Sequence, residues 1–442
     1  MSPNVPVLLI IDYNLSRIAE VFRMRNYAHV RWGAETWLIR SNPQALDLSI
    51  SDAVFDVDPL SADFVERAIE SLGPHASRIS AGLVFSDNAV ASGAALLERL
   101  GLPVDDASKA LSAFDKYVYR THETAQRSTL EGMGVLVPDF SAIHCVEDVL
   151  RFADRHRQGF VIKPMCEGNN RGVVLVGSGD DPASAFCEVA PYVEKGVLAE
   201  QLIPYRREFS HDGLGSLTFI TEKISADGRY PVEIAQVLPA RLNDRERQTL
   251  LATGEQINHL IGQARGPFHN EIKLNEDGTR AAVVEPNRRP AGMKIWSLAR
   301  WVYGLDLFET WIDSVFGVDV PAALNAPTCT AATIMLGVPR DMDFEPHDIT
   351  TDHHPFTYAL LASATLHGLN HKELVAYEFT WLGLEKRHIR RVPRDNSDFA
   401  AQVCIVLHVD RVDIRDVIQT LREQWLMELA RLLPGQSQRI AS

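Results

Sequence analysis

The chain has 442 residues, 46% of them hydrophobic and 23% charged, enough to bury the cores of two or three domains. Its formal net charge of −14 argues against non-specific binding of nucleic acid or acidic membranes, and no uncharged apolar run approaches the ~18 residues of a membrane span. Five cysteines (Cys145, Cys166, Cys187, Cys329 and Cys404) without paired spacing disfavour disulfides and a zinc site and point to a reducing, cytoplasmic setting.

In chain order, "VPVLLIID" (5–12) reads as a first strand and not a signal peptide, because its apolar run is short and no basic segment precedes it. "SRIAEVFRMRN" (16–26) predicts a helix, and "ETWLIRS" (35–41) and "AVFDVD" (53–58) predict strands. "SADFVERAIESLG" (61–73) predicts a helix with Ser61 as N-cap, "SAGLVFSD" (80–87) a strand, and "NAVASGAALLERLGLP" (88–103) a helix stopped by Gly101 and Pro103. Strands alternating with helices imply a parallel sheet covered by helices, a Rossmann-like half. No G-x-G-x-x-G follows its first strand, so dinucleotide binding there is disfavoured.

A helical connector fills about 110–155, with Gly132, Gly134 and Pro138 marking a turn into an extended segment. "GFVIKPMCEGNNRGVVLV" (159–176) is a strand–loop–strand unit, and "PASAFCEVAPYVEKG" (182–196) a helix. "VLAEQLIPYRREFSHDGL" (197–214) gives a strand, a linker and another strand. "SLTFITEKIS" (216–225), "YPVEIAQVLPA" (230–240) and "FHNEIKLNEDGTRAAVVEPN" (268–287) predict a mostly antiparallel sheet, with "NEDGT" as hairpin turn. A long amphipathic helix covers 243–264. The proline-rich 318–328 is a linker, followed by strands at 330–338 and 401–410 and a terminal helix at 414–433 whose apolar stripe is read as core.

Three stretches carry chemistry. In the first, Lys163 ends a strand before Glu167-Gly168-Asn169-Asn170-Arg171-Gly172; glycines let backbone N–H groups approach an anion and lysine supplies a point charge, although an ordinary hairpin would look the same. In the second, Glu200 and Gln201 end a strand before Leu202 and Ile203, with Glu208 beyond; backbone, carboxylate and apolar neighbours of this kind can hold a ring, or form a solvated strand end. In the third, Glu271 and Glu285 flank a hairpin that brings them to the same end of the ladder. Close carboxylates repel unless a cation or proton sits between them, and with Asn287 alongside they suit Mg²⁺.

In this order the arrays resemble the ATP-grasp carboxylate–amine ligases, and within them the L-amino acid ligases that make dipeptides. The signature E-[IV]-N-P-R-P-A-G reads here as Glu285-Pro286-Asn287-Arg288-Arg289-Pro290-Ala291-Gly292, and the upstream region has the GLP turn, an Asp115-Lys116 pair and the "GV.VP" turn. The likeness spans roughly 80–300. It implies a multidomain α/β and α+β protein with the ATP-grasp fold: an N-terminal Rossmann-like pre-ATP-grasp α/β domain over 1–112, an ATP-grasp domain over 113–320 with a lid subdomain at about 155–200, and a C-terminal α+β domain over 321–442.

Residue by residue, the resemblance implies that Lys116 and Lys163, with the loop glycines Gly168 and Gly172, contact ATP phosphates. Glu200, Gln201, Leu202 and Ile203 would hold adenine, and Glu208 the ribose. Glu271, Glu285 and Asn287 would bind Mg²⁺ or Mn²⁺, and Arg289 would contact the transferred phosphate and the substrate carboxylate. "YPVEIAQVLPARL" matches the segment in which a glutamate, here Glu233, helps to hold a substrate amino group; several relatives have histidine where this chain has Gln236, which cannot become a cation. Arg288 stands where the signature has proline, either as a further phosphate contact or facing solvent.

The implied chemistry removes a carboxylate's charge by phosphorylation so that an amine can attack, with lysine, arginine and metal around the transferred group and a lid over residues 166–172 excluding water. The partners are small-molecule carboxylate and amine substrates, with no nucleic acid and no membrane; dimers in the family imply a homodimer. The competing readings are an ATP-grasp carboxylase using bicarbonate and a non-catalytic ATP-binding regulator. "HDITTDHH" (347–354) is read as a polar loop, not a metal cluster, and Cys166 as a loop thiol, not a nucleophile.

Overall fold

A computed structural model of the chain describes residues 5–349 and 354–433. Residues 350–353, which include Asp352 and His353 of the segment 347–354 read as a polar loop, lie outside the described residues. The run Val7–Ile11 is buried at every position. Such a strand must be covered on both faces, which is the condition of a parallel sheet. It lies in a four-stranded parallel sheet in the order Ala53–Asp56, Glu35–Arg40, Val7–Ile11, Ile79–Val84.

Alternation along the strand sends side chains to two cores. Val7, Leu9 and Ile11 meet Phe64, Ala68, Leu72, Leu96 and Leu97 from helices Phe64–Leu72 and Val90–Arg99. Leu8 and Ile10 share a second core with Val21, Met24 and Ala28 of helix Ile18–Trp32, and with Ile295, Leu298 and Phe308 from far along the chain. Two local expectations are corrected. The first helix runs past Asn26 to Trp32, because its apolar face continues to Ala28 and the stop signal is Gly33, left-handed at φ 61°. Ser61 does not cap the next helix: its hydroxyl donates to the Asp58 carbonyl at 2.8 Å in a preceding turn, and the helix starts only at Phe64.

The second layer is a nine-stranded sheet. Its order is Leu374–Trp381, Ala401–Leu407, Thr330–Leu336, Glu233–Leu238, Leu217–Ser225, Arg207–Leu214, Pro267–Leu274, Ala281–Glu285 and Val135–Leu136. Every pairing is antiparallel except the last. The strands expected of a separate C-terminal domain therefore extend the central sheet: Thr330–Leu336 pairs directly with Glu233–Leu238. Helices Pro355–Leu366 and Ile414–Leu432 cover that end, and Asp244–Leu260 covers the other.

A third, four-stranded sheet (Phe140–Ile143, Val197–Gln201, Gly159–Pro164, Val174–Gly177) stands over the central one, entirely antiparallel. It packs on helices Val146–Arg155 and Pro182–Val189 around Phe152, Phe160 and Val189. This unit is wider than the lid expected at 155–200, because its edge strand begins at Phe140.

Arg288 settles into neither of its two expected positions. It is 7% exposed, and its guanidinium donates to the carbonyls of Asp106 (2.7 Å) and Ile261 (3.3 Å). Next to it, Asp105 accepts the backbone N–H groups of Ala264, Arg265 and Gly266 at 2.8–3.0 Å. Together they sew the segment leaving the first sheet to the turn after helix Asp244–Leu260. We predict that Arg288→Met, which removes both of these buried hydrogen bonds, lowers unfolding free energy by about 1–3 kcal/mol in denaturant titration. Unchanged stability would contradict a clamping role.

Candidate active site

The hairpin Pro267–Leu274/Ala281–Glu285 turns through "NEDGTR", where the Asn275 side chain accepts the N–H groups of Thr279 and Arg280 at 2.9 Å each. Its register sets Glu271 directly opposite Glu285. On the same face of the sheet, Gln236, Lys223, Glu208 and Lys273 are opposed in turn across four neighbouring strands. This polar face forms one wall of a cleft that is open to solvent. The upper sheet supplies the opposite wall with Val161, Lys163, Val173, Leu175 and the loop Glu167–Asn170.

Each cation in the cleft is held by a carboxylate. Lys116, the first residue of helix Lys116–Ala125, lies 3.2 Å from Glu285 and donates to the Glu167 carbonyl at 2.8 Å. Lys163 lies 2.8 Å from Glu200. Lys223 bridges Glu233 (2.5 Å) and Glu271 (2.8 Å), and Lys273 meets Glu208 at 2.8 Å. Arg289 reaches across to the N-terminal sheet, where its Nε donates to Asp87 at 2.6 Å.

These partners set the charge states. Burial opposes charge on Glu271, but Lys223 and His269 pull its carboxyl far below the usual range. Burial likewise opposes charge on His269, yet Asp212 at Nδ1 (2.6 Å) and Glu271 at Nε2 (3.4 Å) raise it to about 9, an imidazolium at neutral pH. Lys116 is raised because Glu285 outweighs its burial. Lys163 is lowered: burial and the nearby cations Arg120 and Lys116 together exceed the pull of Glu200. Glu200 itself faces two cations, so despite burial it falls to about 2. Cys166 is pushed up to about 12 by burial and by Asp115, which leaves a protonated thiol and fits its reading as non-nucleophilic.

Most of the predicted residues line this one cleft: Lys116, Lys163, Gly168, Glu200, Gln201, Leu202, Ile203, Glu208, Glu233, Gln236, Glu271, Glu285 and Arg289. Three need correction. Glu200 is buried and its carboxylate is committed to Arg120 and Lys163, so it supports the lysine instead of presenting a free group to a ring. Gly172, at φ 69°, does not line the cleft; a Cβ there would meet Tyr192 at 2.8 Å and Pro164 at 2.9 Å, so the residue lets the loop close on the strand. Asn287 also stays out of the wall: its Nδ2 donates to the His269 carbonyl at 3.1 Å and its Oδ1 accepts from Arg289 at 3.4 Å.

Sequence reasoning missed Lys223, His269, Arg120, Met293 and Asn396. A lysine inside the apolar strand "LTFITEKIS" is the signal that marks Lys223, since a buried ammonium demands partners. The remaining four depend on contacts between elements distant in sequence.

The donor set can be tested against a metal. Two opposed carboxylates, both partly exposed to the cleft beside two lysines, offer the hard oxygens that Mg²⁺ takes together with substrate phosphates. Among the described residues no group of three or more His, Cys, Asp or Glu could hold a metal ion. The fit is therefore to a metal that arrives with a phosphorylated ligand, which Glu271 and Glu285 would hold from the cleft wall.

Three sheets of this order, enclosing a cleft between the upper and central ones, define the ATP-grasp fold. Solved structures align along nearly the whole chain. An L-amino acid ligase from Bacillus licheniformis aligns with a TM-score of 0.70 at 17% identity, over 96% of this chain and 98% of that one. An N5-carboxyaminoimidazole synthetase from Staphylococcus aureus, complexed with ADP, gives 0.64 at 15% over 96% and 97%. A phosphoribosylglycinamide synthetase from Anaerococcus prevotii gives 0.63 at 11% over 95% and 98%. No protein-family profile matches the chain. No described helix is long and apolar enough to cross a membrane.

Glu200 gives the site a pH signature. Folding lowers its pKa from the usual 4.5 to about 2, so its contribution is complete above pH 4.5 and is lost as pH falls through 2. The shift corresponds to on the order of 3 kcal/mol. The stability gap between the parent protein and Glu200→Gln, followed by denaturant titration, is predicted to narrow steadily from pH 5 to pH 2. A gap independent of pH would contradict the ion-paired assignment.

Proposed function

We propose that the protein is an ATP-dependent ligase that joins a carboxylate, that of an amino acid or a related acid, to an amine, releasing ADP and phosphate. The observation that carries this reading is the convergence in one cleft of two lysines, two opposed carboxylates, an arginine and, beyond them, the Lys223–Glu233–Gln236 cluster. The fold similarity to ligases supports it.

A carboxylate resists amines because its charge blocks attack at carbon. In the proposed reaction a carboxylate oxygen attacks the γ-phosphorus of ATP and ADP leaves. The amine lone pair then attacks the acyl carbon, phosphate departs with that oxygen, and the proton lost from the amine nitrogen passes to the departing phosphate or to solvent. Lys116 and Lys163 would hold the phosphates, while Arg289, fixed by Asp87 and Asn287, would meet both the transferred group and the carboxylate. Glu271 and Glu285 would hold Mg²⁺, which when bound supplies neutralising charge to the phosphates. Val161, Leu175, Leu202, Ile203 and Ile272 form the apolar part of the cleft, suited to a purine ring. The loop Glu167–Gly172, with Asn169 and Asn170 both left-handed (φ 59° and 60°), would cover the site and keep water from the acyl phosphate.

Glu233 and Gln236 would receive the amine. Glu233 is compensated by Lys223 at one oxygen and by the Gln236 amide (2.8 Å) at the other, so the subsite is nearly neutral. That favours the uncharged amine, which is the nucleophilic form.

The second reading is carboxylation with bicarbonate, favoured by the comparable fit of an N5-carboxyaminoimidazole synthetase. Phosphate release over a panel of amino acid pairs, each with and without bicarbonate, separates the two. The ligase reading expects release that requires both an organic carboxylate and an amine, is abolished by Glu285→Ala, and falls by about 10²-fold or more in Arg289→Lys, whose ammonium cannot reproduce the guanidinium fork. Release that needs bicarbonate and no organic carboxylate would establish the other reading.

A further inference from the structure

Lys116 and Lys163 come from different parts of the fold, one from the connector helix and one from the upper sheet, and their direct link is through the Lys116 backbone N–H on the Met165 carbonyl (3.1 Å) and its ammonium on the Glu167 carbonyl (2.8 Å). A third cation, absent from the cleft wall, stands behind both. Arg120 follows Lys116 by four residues and therefore shares its face of helix Lys116–Ala125. It is 1% exposed.

Every nitrogen of its guanidinium is engaged. Nε and Nη2 fork onto Glu200 at 3.0 and 3.1 Å, and Glu200 in turn accepts Lys163 at 2.8 Å. Nη2 also donates to the carbonyls of Val283 (2.9 Å) and Val284 (3.3 Å), next to Glu285, the partner of Lys116. Nη1 donates to Glu123 at 2.6 Å. One side chain thus ties the connector helix, the upper sheet and the last strand of the metal-binding hairpin.

From this geometry we infer that Arg120 is a positioning residue for the triphosphate: it sets the spacing between the two phosphate-binding lysines and Glu285 by acting through Glu200 and the Val283–Val284 carbonyls. The inference rests on the nucleotide-binding reading above. A single planar fork can satisfy a carboxylate and two carbonyls on different elements at once; a lysine, a point donor on a flexible stem, cannot. Because Arg120 does not touch the ligand, its loss acts on phosphate recognition and leaves the apolar ring pocket in place.

The test is calorimetric binding of AMP and of a non-hydrolysable β,γ-imido ATP analogue with Mg²⁺, in the parent protein and in Arg120→Lys, which retains a buried cation opposite Glu123 and Glu200. The expected result is a loss of about 10- to 100-fold in affinity for the triphosphate analogue, the range for removing a group that orients a ligand-binding residue, with AMP changed by less than about threefold. Glu123→Gln, which spares the fork onto Glu200, is expected to keep the discrimination of the parent. Equal losses for AMP and the analogue would reduce Arg120 to a structural role and overturn the inference, as would no loss for either. If circular dichroism shows Arg120→Lys unfolded, Glu200→Gln breaks the same fork from the other side and must show the same selective loss, or the inference fails. A parent protein that binds neither nucleotide would overturn the nucleotide reading and this inference with it.

Discussion

Burying a cation is costly unless an anion and further hydrogen bonds accompany it. This cleft gathers lysines and an arginine where a phosphorylated ligand would need them, so the fold must provide each with a carboxylate. It does so from elsewhere in the chain: Lys116 on Glu285, Lys163 on Glu200, Lys223 on Glu233 and Glu271, and Arg289 on Asp87. The pairs that compensate the site's charge are therefore also the joints between its elements. The Arg289–Asp87 pair is the clearest case, since it binds the end of the hairpin to the end of a strand in the N-terminal sheet.

This arrangement links the layers to function. The N-terminal sheet does not line the cleft, yet its second core includes Ile295, Leu298 and Phe308, which follow the arginine-bearing turn. Arg17 from the same region donates to the carbonyls of Pro290 (3.1 Å) and Ala291. Immediately beyond, Met293 and Lys294 both take left-handed backbone (φ 46° and 60°), a conformation unfavourable for side chains with a Cβ. Lys294 is held there by Glu20 at 2.6 Å, while Met293 lines the cleft with its sulfur 3.9 Å from Gln236. Left-handed backbone of this kind therefore follows directly on the segment that carries Arg289 into the site, as it also occurs at Asn169 and Asn170 in the loop opposite.

Much of this was legible in the sequence because it depends on local rules. The alternation of strands and helices over the first hundred residues gave the parallel sheet, and the turn "NEDGTR" placed Glu271 and Glu285 at one end of a ladder, where the register sets them face to face. What was hidden depends on pairing between distant segments. The spacing of Glu200 looked like that of a ring-binding residue, but burial between Arg120 and Lys163 spends its charge. Asn287 sat in a metal-ligand pattern, yet its amide is used by the His269 carbonyl and Arg289. Arg288 broke the signature and invited a functional reading, whereas carbonyls on two other segments claim it. The strands after residue 320 read correctly as strands, but strand propensity carries no information about which sheet they join.

The central claim is that ATP is consumed to activate an organic carboxylate, and transfer of an oxygen label tests it most directly. With the substrate carboxylate labelled by ¹⁸O and the amine present, the account predicts that each released phosphate carries one labelled oxygen, seen by mass spectrometry, because the oxygen that attacks the γ-phosphorus leaves with it. Phosphate released at the same rate without the label would mean that the organic carboxylate is not the group activated, and would contradict the account.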